Sequence, residues 1–223
     1  MNESITTHEQ WLAARKNGIG ASECSAIVGM NPYMSSVELW KLKTGRKEAA
    51  DISSKPHVAY GRAAEEPLRE LFALDYADRF EVGYGGEFDV VRHPQHPFIF
   101  ATLDGRLVEK ETGRKGVLEI KTTEILRSMQ REKWQSEDGP CIPDNYYCQI
   151  CWQMLATGFD FAVLHAQLKR DYGGGDIRCE RRSYFVERED AAEDIAYLYE
   201  EGLKFWQYVV GDREPPLVLP PVF

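Results

Sequence analysis

Two acids and a lysine near the middle of the chain form the pattern with the clearest chemical meaning. Glu119 and Lys121 are separated by one residue, and Asp104 precedes them in a Gly-containing segment. Because side chains alternate across a strand, Glu119 and Lys121 face the same way. A hairpin that turns at Thr112 and Gly113 would pair the strand carrying Asp104 with the strand carrying Glu119. The spacing therefore predicts that the three charged side chains meet.

This set of side chains suits the hydrolysis of a phosphodiester. Two carboxylates can hold one or two Mg²⁺ ions through hard oxygen ligands, and the metal lowers the pKa of a bound water. The ammonium group of Lys121 can orient that water and offset the negative charge that grows on phosphorus. The alternative is a strand that ends in two solvated charges. However, Val117, Leu118 and Ile120 indicate a buried strand, in which Glu119 needs a partner or a metal.

A candidate phosphate site lies between Arg15 and Ser22. Glycines at positions 18 and 20 allow the backbone to approach a ligand closely. Ser22 would begin a short helix over 22–28, whose free N–H groups suit a phosphate, and Arg15 can add two donors. From the residues alone, helix capping and a surface arginine explain this segment better.

The elements that must position these groups change type along the chain. We expect helices over 11–16, 22–28, 35–44 and 58–77, strands over 80–91, 98–108 and 115–123, a helix over 145–157, strands over 161–168 and 181–187, and a closing helix over 188–210. This order predicts an α/β fold with a central mixed sheet flanked by helices. We expect a single domain over 1–223, made of an N-terminal helical part with the phosphate segment (1–57), a core (58–210) and an extended tail (211–223).

Charge and composition restrict the possible partners. The 223 residues include 27 Lys and Arg against 36 Asp and Glu, a net charge of −9, which disfavours a wide basic surface for nucleic acid or anionic lipid. No stretch approaches the roughly eighteen apolar residues of a membrane-spanning helix, and the N-terminus lacks the apolar core of a secretory signal. Five cysteines, an odd number, point to free thiols in a reducing cytoplasm.

Four short blocks in one order resemble a known family. They are Trp11 and Arg15 with Ile19-Gly20-Ala21-Ser22-Glu23; Ala59-Tyr60-Gly61-Arg62-Ala63-Ala64-Glu65; Leu103-Asp104-Gly105 with Leu118-Glu119-Ile120-Lys121; and Tyr146-Tyr147-Cys148-Gln149-Ile150 with Met154 and Thr157 beyond. Together they resemble the PD-(D/E)xK nuclease superfamily, and within it the family of phage lambda exonuclease and the YqaJ-type viral recombinases. Leu103 replaces the proline that often precedes the motif aspartate, but that proline is not a ligand.

The resemblance implies a PD-(D/E)xK restriction-endonuclease-like core with a metal site. Asp104 and Glu119 would bind Mg²⁺ in a two-metal site, in which Mn²⁺ could substitute, with help from the backbone carbonyl of Ile120. Glu65 would be an additional acid of the site, although the adjacent Glu66 could take its place.

The resemblance also assigns roles outside the metal ligands. Lys121 would activate the attacking water, and Gln149 would orient Lys121 or that water. Arg15 and Ser22 would form the pocket for the 5′-phosphate of the degraded strand. Further candidates for DNA contact are Arg62, Ser36 and Tyr146.

The function that the resemblance implies is a Mg²⁺-dependent 5′-to-3′ double-strand DNA exonuclease. It would leave a 3′ overhang for phage-type recombination, act as a homotrimeric ring with a single-strand annealing protein, and be encoded by a phage or prophage in a bacterial cytoplasm. A ring could keep basic residues inside its channel, so the charge of −9 does not exclude DNA. A related endonuclease or nickase, and a non-catalytic acidic binding protein, are the alternatives.

The cysteines allow two interpretations, a second metal site or thiols packed in the core. Some nucleases of this superfamily carry an iron–sulfur cluster, and Cys148 and Cys151 have a spacing suited to metal, with Cys24 upstream and Cys141 nearby. Cys148 and Cys151 lie on a predicted helix that also presents Gln149, and core thiols are the commoner explanation.

Overall fold

Five helices and ten strands are found in residues 7–125, 133–136 and 139–218, which are the residues that the computed structural model describes. The helices are α1 (His8–Lys16), α2 (Ser36–Lys43), α3 (Pro56–Asp75), α4 (Asp144–Thr157) and α5 (Ala192–Val210), with a 3₁₀ turn at Cys24–Ala26. The strands are β1 (Ile19–Gly20), β2 (Phe80–Gly83), β3 (Val90–Arg92), β4 (Ile99–Thr102), β5 (Gly105–Glu109), β6 (Lys115–Ile125), β7 (Gln135–Ser136), β8 (Gly139–Pro140), β9 (Phe161–Asp171) and β10 (Ile177–Glu187).

The central sheet has five strands in the order β10-β9-β6-β5-β2. β6 and β9 are parallel neighbours, and α4 lies between them in the chain, as a parallel pair requires a crossover. The other three pairs of neighbours are antiparallel. The sheet is therefore mixed, with β6 at its centre.

Alternation along β6 directs its side chains into two separate apolar cores. Val117 packs in the core that contains Trp152 of α4, whereas Leu118 packs in the core that contains Phe72 of α3. α4 and α3 therefore cover opposite faces of the sheet. Glu119 follows the alternation and shares the face of Val117, which turns its carboxylate towards α4.

The expected strand over 98–108 is in fact two strands in two sheets. β4 ends at Thr102 in a smaller sheet of order β1-β4-β3, and β5 begins at Gly105 in the central sheet. Asp104 lies at the change of sheet, where its Oδ2 accepts the backbone N–H of Ile120 at 2.8 Å. The side chain of an acid thus takes a backbone donor at the point where the chain leaves one sheet for the other.

The expected strand over 80–91 is also divided, between β2 in the central sheet and β3 in the smaller one. A turn separates the two strands, in which the N–H of Asp89 donates to the carbonyl of Gly86. Gly86 has a φ of 102°, which an L-residue rarely adopts. Sequence alternation alone did not reveal this turn.

The expected helix over 22–28 is wrong, because only the 3₁₀ turn at Cys24–Ala26 forms there. Backbone hydrogen bonds in this segment span three residues, from Glu23 N–H to the carbonyl of Gly20 and from Ile27 N–H to that of Cys24. Glu23, and not Ser22, precedes the turn, and no side chain caps it. The dipole of an α-helix therefore does not contribute to phosphate binding at Ser22.

The next helix confirms its sequence signals. Ser35 caps α2 through the backbone N–H of Glu38, and the Glu38 side chain accepts the backbone N–H of Ser35 in return. α2 ends at Lys43, with Thr44 as its C-cap before Gly45, which has a φ of 72°. The capping box and the terminal glycine thus fixed both ends of this helix.

The remaining differences concern lengths. β9 and β10 are longer than expected, because a turn with glycines at 173, 174 and 175, all at positive φ, lets the two strands pair over their whole length. α5 begins at Ala192 instead of 188. The α/β class with a central mixed sheet between helices is confirmed. In the described parts of the chain no helix is both long and apolar enough to cross a membrane.

Candidate active site

The two acids and the lysine of the motif meet at the junction of the two sheets. Lys121 Nζ lies 2.6 Å from Glu119 Oε1, and the side chains of Glu119 and Lys121 are only 3% and 19% exposed. Asp104 is bonded to the backbone N–H of Ile120, the residue between them. The β5–β6 hairpin brings Asp104 to this position, with Gly113 at a φ of 74° in its turn.

Two glutamines of α4 bind the carboxylate of Glu119. Gln149 Nε2 donates to Oε1 at 2.6 Å, and Gln153 Nε2 donates to Oε2. The sequence predicted that Gln149 would orient Lys121 or a water, whereas its partner in the structure is Glu119. Gln153 was missed, although its spacing of four residues from Gln149 on one helix places both on the same face.

The electrostatics of the site are dominated by buried acids. Burial raises the pKa of Asp104 well above its usual range, and the charges of Glu119 and Glu65 raise it further. Burial also raises the pKa of Glu65, with repulsion from Glu119 as the second cause. For Lys121 burial acts to lower the pKa, but attraction to Glu119 and Asp104 outweighs it and the pKa is raised. One lysine thus neutralises the acid cluster only in part.

The chemistry of the acid cluster fits a hard divalent cation. Its donors are the carboxylate oxygens of Asp104, Glu119 and Glu65, beside the peptide group of Ile120, and such oxygens are the ligands of Mg²⁺. Burial is the main cause of the raised pKa of Asp104, and the charges of Glu119 and Glu65 add to it, so a cation bound here would favour the ionised carboxylate. Within the described residues no three Asp, Glu, His or Cys side chains are gathered closely enough to hold a metal, and the Glu119 carboxylate is paired with Lys121.

Glu65 is the acid of α3 that acts on the cluster. Glu65 is half-buried, and its charge contributes to the raised pKa of Asp104. Glu66 lines the same cleft but is exposed. Of the two neighbours, Glu65 is therefore the one in electrostatic contact with the motif.

A cleft of about 490 Å³ opens beside these acids. Its lining includes Trp11, Arg62, Glu65, Tyr84, Thr102 and Asp104. Arg69 also lines the cleft, donates from Nη1 to the backbone carbonyl of Asp104 at 2.8 Å, and stacks on the ring of Tyr84 at 3.9 Å. Arg69 and Tyr84 were missed in the sequence. The spacing of Arg69 from Glu65, one turn along α3, was the signal for the arginine.

The predicted phosphate residues also come together. Arg15 Nη2 lies 3.3 Å from Ser22 Oγ and donates to it. The guanidinium group of Arg15 stacks at 4.7 Å on the ring of Trp11, which lines the cleft. The arrangement places an arginine and a hydroxyl beside Trp11, one of the residues that line the cleft.

Two largely buried charged side chains, Glu23 and Lys43, hold Arg15 in place. Glu23 Oε1 pairs with Arg15 at 3.3 Å, and Glu23 Oε2 pairs with Lys43 Nζ at 2.7 Å and accepts the N–H of Gly20. Burial acts to raise the pKa of Glu23, but Lys43 and Arg15 outweigh it and the pKa is lowered. Lys43, with a side chain only 3% exposed, also donates to the backbone carbonyl of Arg15. The arginine is thereby fixed at both its backbone and its side chain.

The three further candidates for DNA contact lie in different surroundings. Arg62 is exposed and lines the cleft. Tyr146 lies beside Lys121, whose Nζ is 5.0 Å from the centre of the ring. Ser36 is buried, donates to the carbonyl of Pro216 and accepts the N–H of Val218. The expectation for Ser36 is therefore corrected, because its hydroxyl is occupied by the C-terminal segment.

The cysteines of the described residues are free thiols, and three of them are buried: Cys24, Cys148 and Cys151. Cys24 Sγ donates to the backbone carbonyls of Ala21 and Cys148. Burial raises the pKa of Cys148 and of Cys151 to about 12. Metal-binding cysteines are thiolates, so this environment fits thiols that pack in the core.

The sequence matches a family model over most of its length. Residues 10–160 match the YqaJ-like viral recombinase domain, and all four motif blocks lie inside that range. The chain is 28% identical to the YqaJ protein of Bacillus subtilis (strain 168) over 215 residues, and 27% identical to protein R354 of Acanthamoeba polyphaga mimivirus over 155 residues. The matches cover 96% and 68% of this chain but only 60% and 27% of those proteins.

Solved structures share the fold. The alkaline exonuclease LHK-Exo of Laribacter hongkongensis is 21% identical, with a TM-score of 0.60 and coverage of 92% of this chain and 93% of that one. The phage-related exonuclease of Haemophilus somnus 129PT is 13% identical, with a TM-score of 0.56 and coverage of 87% and 96%. The fold expected from the motif blocks is thus that of alkaline exonucleases.

Proposed function

The chain belongs to the YqaJ-like viral recombinase domain family, and from that premise we propose that it is a Mg²⁺-dependent 5′-to-3′ exonuclease of double-stranded DNA. It would digest one strand to mononucleotides and leave a 3′ overhang for single-strand annealing recombination. The observation that carries the proposal is the meeting of Asp104, Glu119 and Lys121 beside a cleft. The single exonuclease domain would extend over 1–223.

The residues of the acid cluster would divide the work of hydrolysis. Asp104, Glu119 and Glu65 would hold the metal, with the backbone carbonyl of Ile120. Bound Mg²⁺ would supply a Lewis acid that lowers the pKa of water and offsets charge on the phosphate. Lys121, which stays charged because its pKa is raised, would direct the water and stabilise the charge that develops on phosphorus. Gln149 would keep the Glu119 carboxylate in one orientation.

The other end of the cleft would select the 5′ end of the strand. Arg15 and Ser22 would bind the terminal phosphate, since a guanidinium group is a strong donor to phosphate oxygens. A phosphate bound there would direct the first phosphodiester towards Asp104 and would set the polarity. Arg62 would contact the DNA along the cleft, and Tyr146 would support Lys121. LHK-Exo has been solved in complex with dAMP, which supports mononucleotides as the product here.

The assembly and surroundings of the protein are part of the proposal. We propose a homotrimeric ring that encloses the duplex, a single-strand annealing protein as partner, and a bacterial cytoplasm as the location, with a phage or prophage as the source of the gene. The match to a viral recombinase domain supports a phage source and a role in recombination, whereas the ring and the annealing partner follow from the resemblance to the lambda exonuclease family. The net charge of −9 fits a ring whose outer surface is acidic.

Three DNA substrates test the proposal. Linear duplexes with a 5′-phosphate or a 5′-hydroxyl and a closed circular duplex would each be incubated with the full chain, in Mg²⁺, in Mn²⁺ and in EDTA. We expect rapid release of mononucleotides from the phosphorylated linear duplex, slow release from the hydroxyl form, an intact circle, and no reaction in EDTA.

Other outcomes would contradict the proposal in different ways. Cleavage of the closed circle would indicate a related endonuclease or nickase. Release that starts from 3′ ends would remove the assigned role of the phosphate pocket. The absence of any DNA hydrolysis in Mg²⁺ and Mn²⁺ would contradict a nuclease and favour a protein that only binds.

A further inference from the structure

Gln153 is a completely buried polar residue at the acid cluster. It lies on α4 one turn beyond Gln149. Its Nε2 donates to Glu119 Oε2 and also approaches the backbone carbonyl of Thr102 at 3.3 Å. Gln149 donates to the other oxygen of the same carboxylate. The two amides therefore hold both oxygens of Glu119 from one helix.

The Gln153 amide also connects the two sheets at the point where the acids meet. Thr102 is the last residue of β4 in the smaller sheet, and Asp104 follows it by two residues. Glu119 belongs to β6 in the central sheet. The side-chain N–H₂ group of Gln153 thus donates both to Thr102, at the end of the strand that leads to Asp104, and to the carboxylate of Glu119. The spacing of the two acids depends on this contact.

Packing alone does not explain an amide at this position. Gln153 Oε1 is buried and has no hydrogen-bond partner among the described residues. The neighbouring α4 residues Trp152 and Met154 are fully buried and apolar. A buried polar atom without a partner disfavours the folded state, so methionine, with a similar length and no such atom, would suit packing better. The amide must then act through its Nε2 donor.

We infer that Gln153 is a positioning residue of the metal site, which fixes the direction of the Glu119 carboxylate and its distance from the Asp104 segment. The inference rests on the proposed function, because it assumes that these acids bind a divalent cation. Residues that bond to metal ligands hold them in the geometry the ion requires, and their loss lowers metal affinity or activity about 10- to 100-fold. Gln153 would act in this way without touching the ion or the DNA.

The test measures the binding of Mn²⁺ alone to the full chain. Free Mn²⁺ is followed by electron paramagnetic resonance during titration of the wild type, Gln153→Met and Gln153→Asn, without DNA. Gln153→Met keeps the length but removes the donor, and Gln153→Asn keeps an amide that is too short to reach both acceptors. We expect the dissociation constant to rise roughly tenfold or more in each variant.

A matched control separates this effect from a general loss of glutamine. Gln207→Met changes an exposed glutamine on α5 and should bind Mn²⁺ as the wild type does. Thermal unfolding in EDTA shows whether each variant folds. A merely structural role would lower the unfolding temperature but leave the Mn²⁺ affinity of the folded protein unchanged.

The outcomes distinguish the inference from the function on which it rests. Wild-type protein that binds no Mn²⁺ would contradict the proposed metal-dependent function, and the inference with it. Wild-type protein that binds Mn²⁺, with both Gln153 variants binding it equally well, would overturn the inference alone. Loss of cooperative unfolding in both variants would assign Gln153 to packing and would overturn it as well.

Discussion

At the scale of single residues, the Glu119 carboxylate is the best-connected group of the site. Lys121, Gln149 and Gln153 all donate to its two oxygens. Charge-assisted hydrogen bonds of this kind are strong and directional, so the carboxylate keeps one orientation. The three donors belong to three different side chains, so a single substitution removes one donor and leaves the other two.

Lys121→Met tests the catalytic role proposed for this lysine. We expect kcat to fall by roughly 10²- to 10⁴-fold, because the substitution removes the group that directs water and offsets charge on phosphorus. Affinity for Mn²⁺ should not fall, since the loss of a cation beside Glu119 favours another cation. Nucleotide release from a 5′-phosphorylated duplex in saturating Mg²⁺ measures the first effect. Lys47→Met, which removes an exposed partner of Glu38, is the control, and full activity of Lys121→Met would remove this lysine from the mechanism.

Arg15→Gln tests the phosphate end of the cleft. The variant should digest a 5′-phosphorylated duplex no faster than a 5′-hydroxyl duplex, because it loses the guanidinium donors to phosphate. Its rate on the 5′-hydroxyl duplex should match that of the wild type. Initial rates on the two duplexes give the ratio directly, with exposed Lys16→Gln as the control. A variant that still prefers the phosphorylated end would show that other groups select it.

At the scale of elements, local signals predicted more than long-range ones. The alternation around Glu119 predicted β6, and the capping box at Ser35 predicted α2. The change of sheet at Asp104 could not be predicted, because it depends on the pairing of β4 with β1, a strand distant in sequence. The 3₁₀ turn after Ser22 depends in the same way on Glu23, whose partner Lys43 lies on another helix.

The sequence predicted the two acids, the lysine and Gln149 of the site, but it missed Gln153 and Arg69. Asp104, Glu119 and Lys121 form a recognisable pattern, since their types and spacing carry chemistry. Gln153 supports them from a helix whose face is determined only by tertiary packing. Ser36 illustrates the opposite error, because a serine at the start of a helix looks exposed until the C-terminal segment covers it. Burial by distant residues is what sequence patterns do not contain.

The strand β9 gives the fold a dependence on pH. Burial lowers the pKa of His165 to about 4, and nearby Arg181 adds to the effect. The unfolded chain binds this proton near pH 6.5, so stability is fully present above that pH and is lost as the pH falls to about 4. The loss should approach about 3 kcal/mol. Denaturant unfolding at pH 7 and pH 4.5 should show a smaller loss in His165→Gln, and equal losses would exclude this histidine as the cause.

At the scale of the whole molecule, the chain is acidic, but two of its arginines lie in the cleft where the proposed DNA substrate would bind. The net charge is −9, and Arg62 and Arg69 line the cleft beside four acids, while Arg15 stacks on Trp11 of the same lining. In the proposed function, attraction to DNA would therefore be confined to these arginines and to the bound cation, whereas the total charge would repel DNA. A protein of this kind keeps its substrate better by enclosing it than by adhesion.

The proposed ring predicts a definite mass in solution. Three copies of the 25.5 kDa chain give about 76 kDa, and sedimentation velocity at several protein concentrations should yield this species. Enclosure also predicts that one molecule digests many nucleotides before it leaves, which a challenge with excess competitor duplex measures. A monomer at all concentrations, or release after each nucleotide, would contradict the ring.

The eight-residue helix α2 joins two distant parts of the molecule. At its first turn the hydroxyl of Ser36 is bonded to Pro216 and Val218, and at its last turn Lys43 is bonded to Glu23 and to the backbone of Arg15. The segment that contains Pro216 and Val218 thus braces the helix whose Lys43 is bonded to the backbone of Arg15. In the proposed function, a chain that stops before position 216 would retain the acid cluster around Glu119 but would bind the 5′-phosphate end of the DNA more weakly.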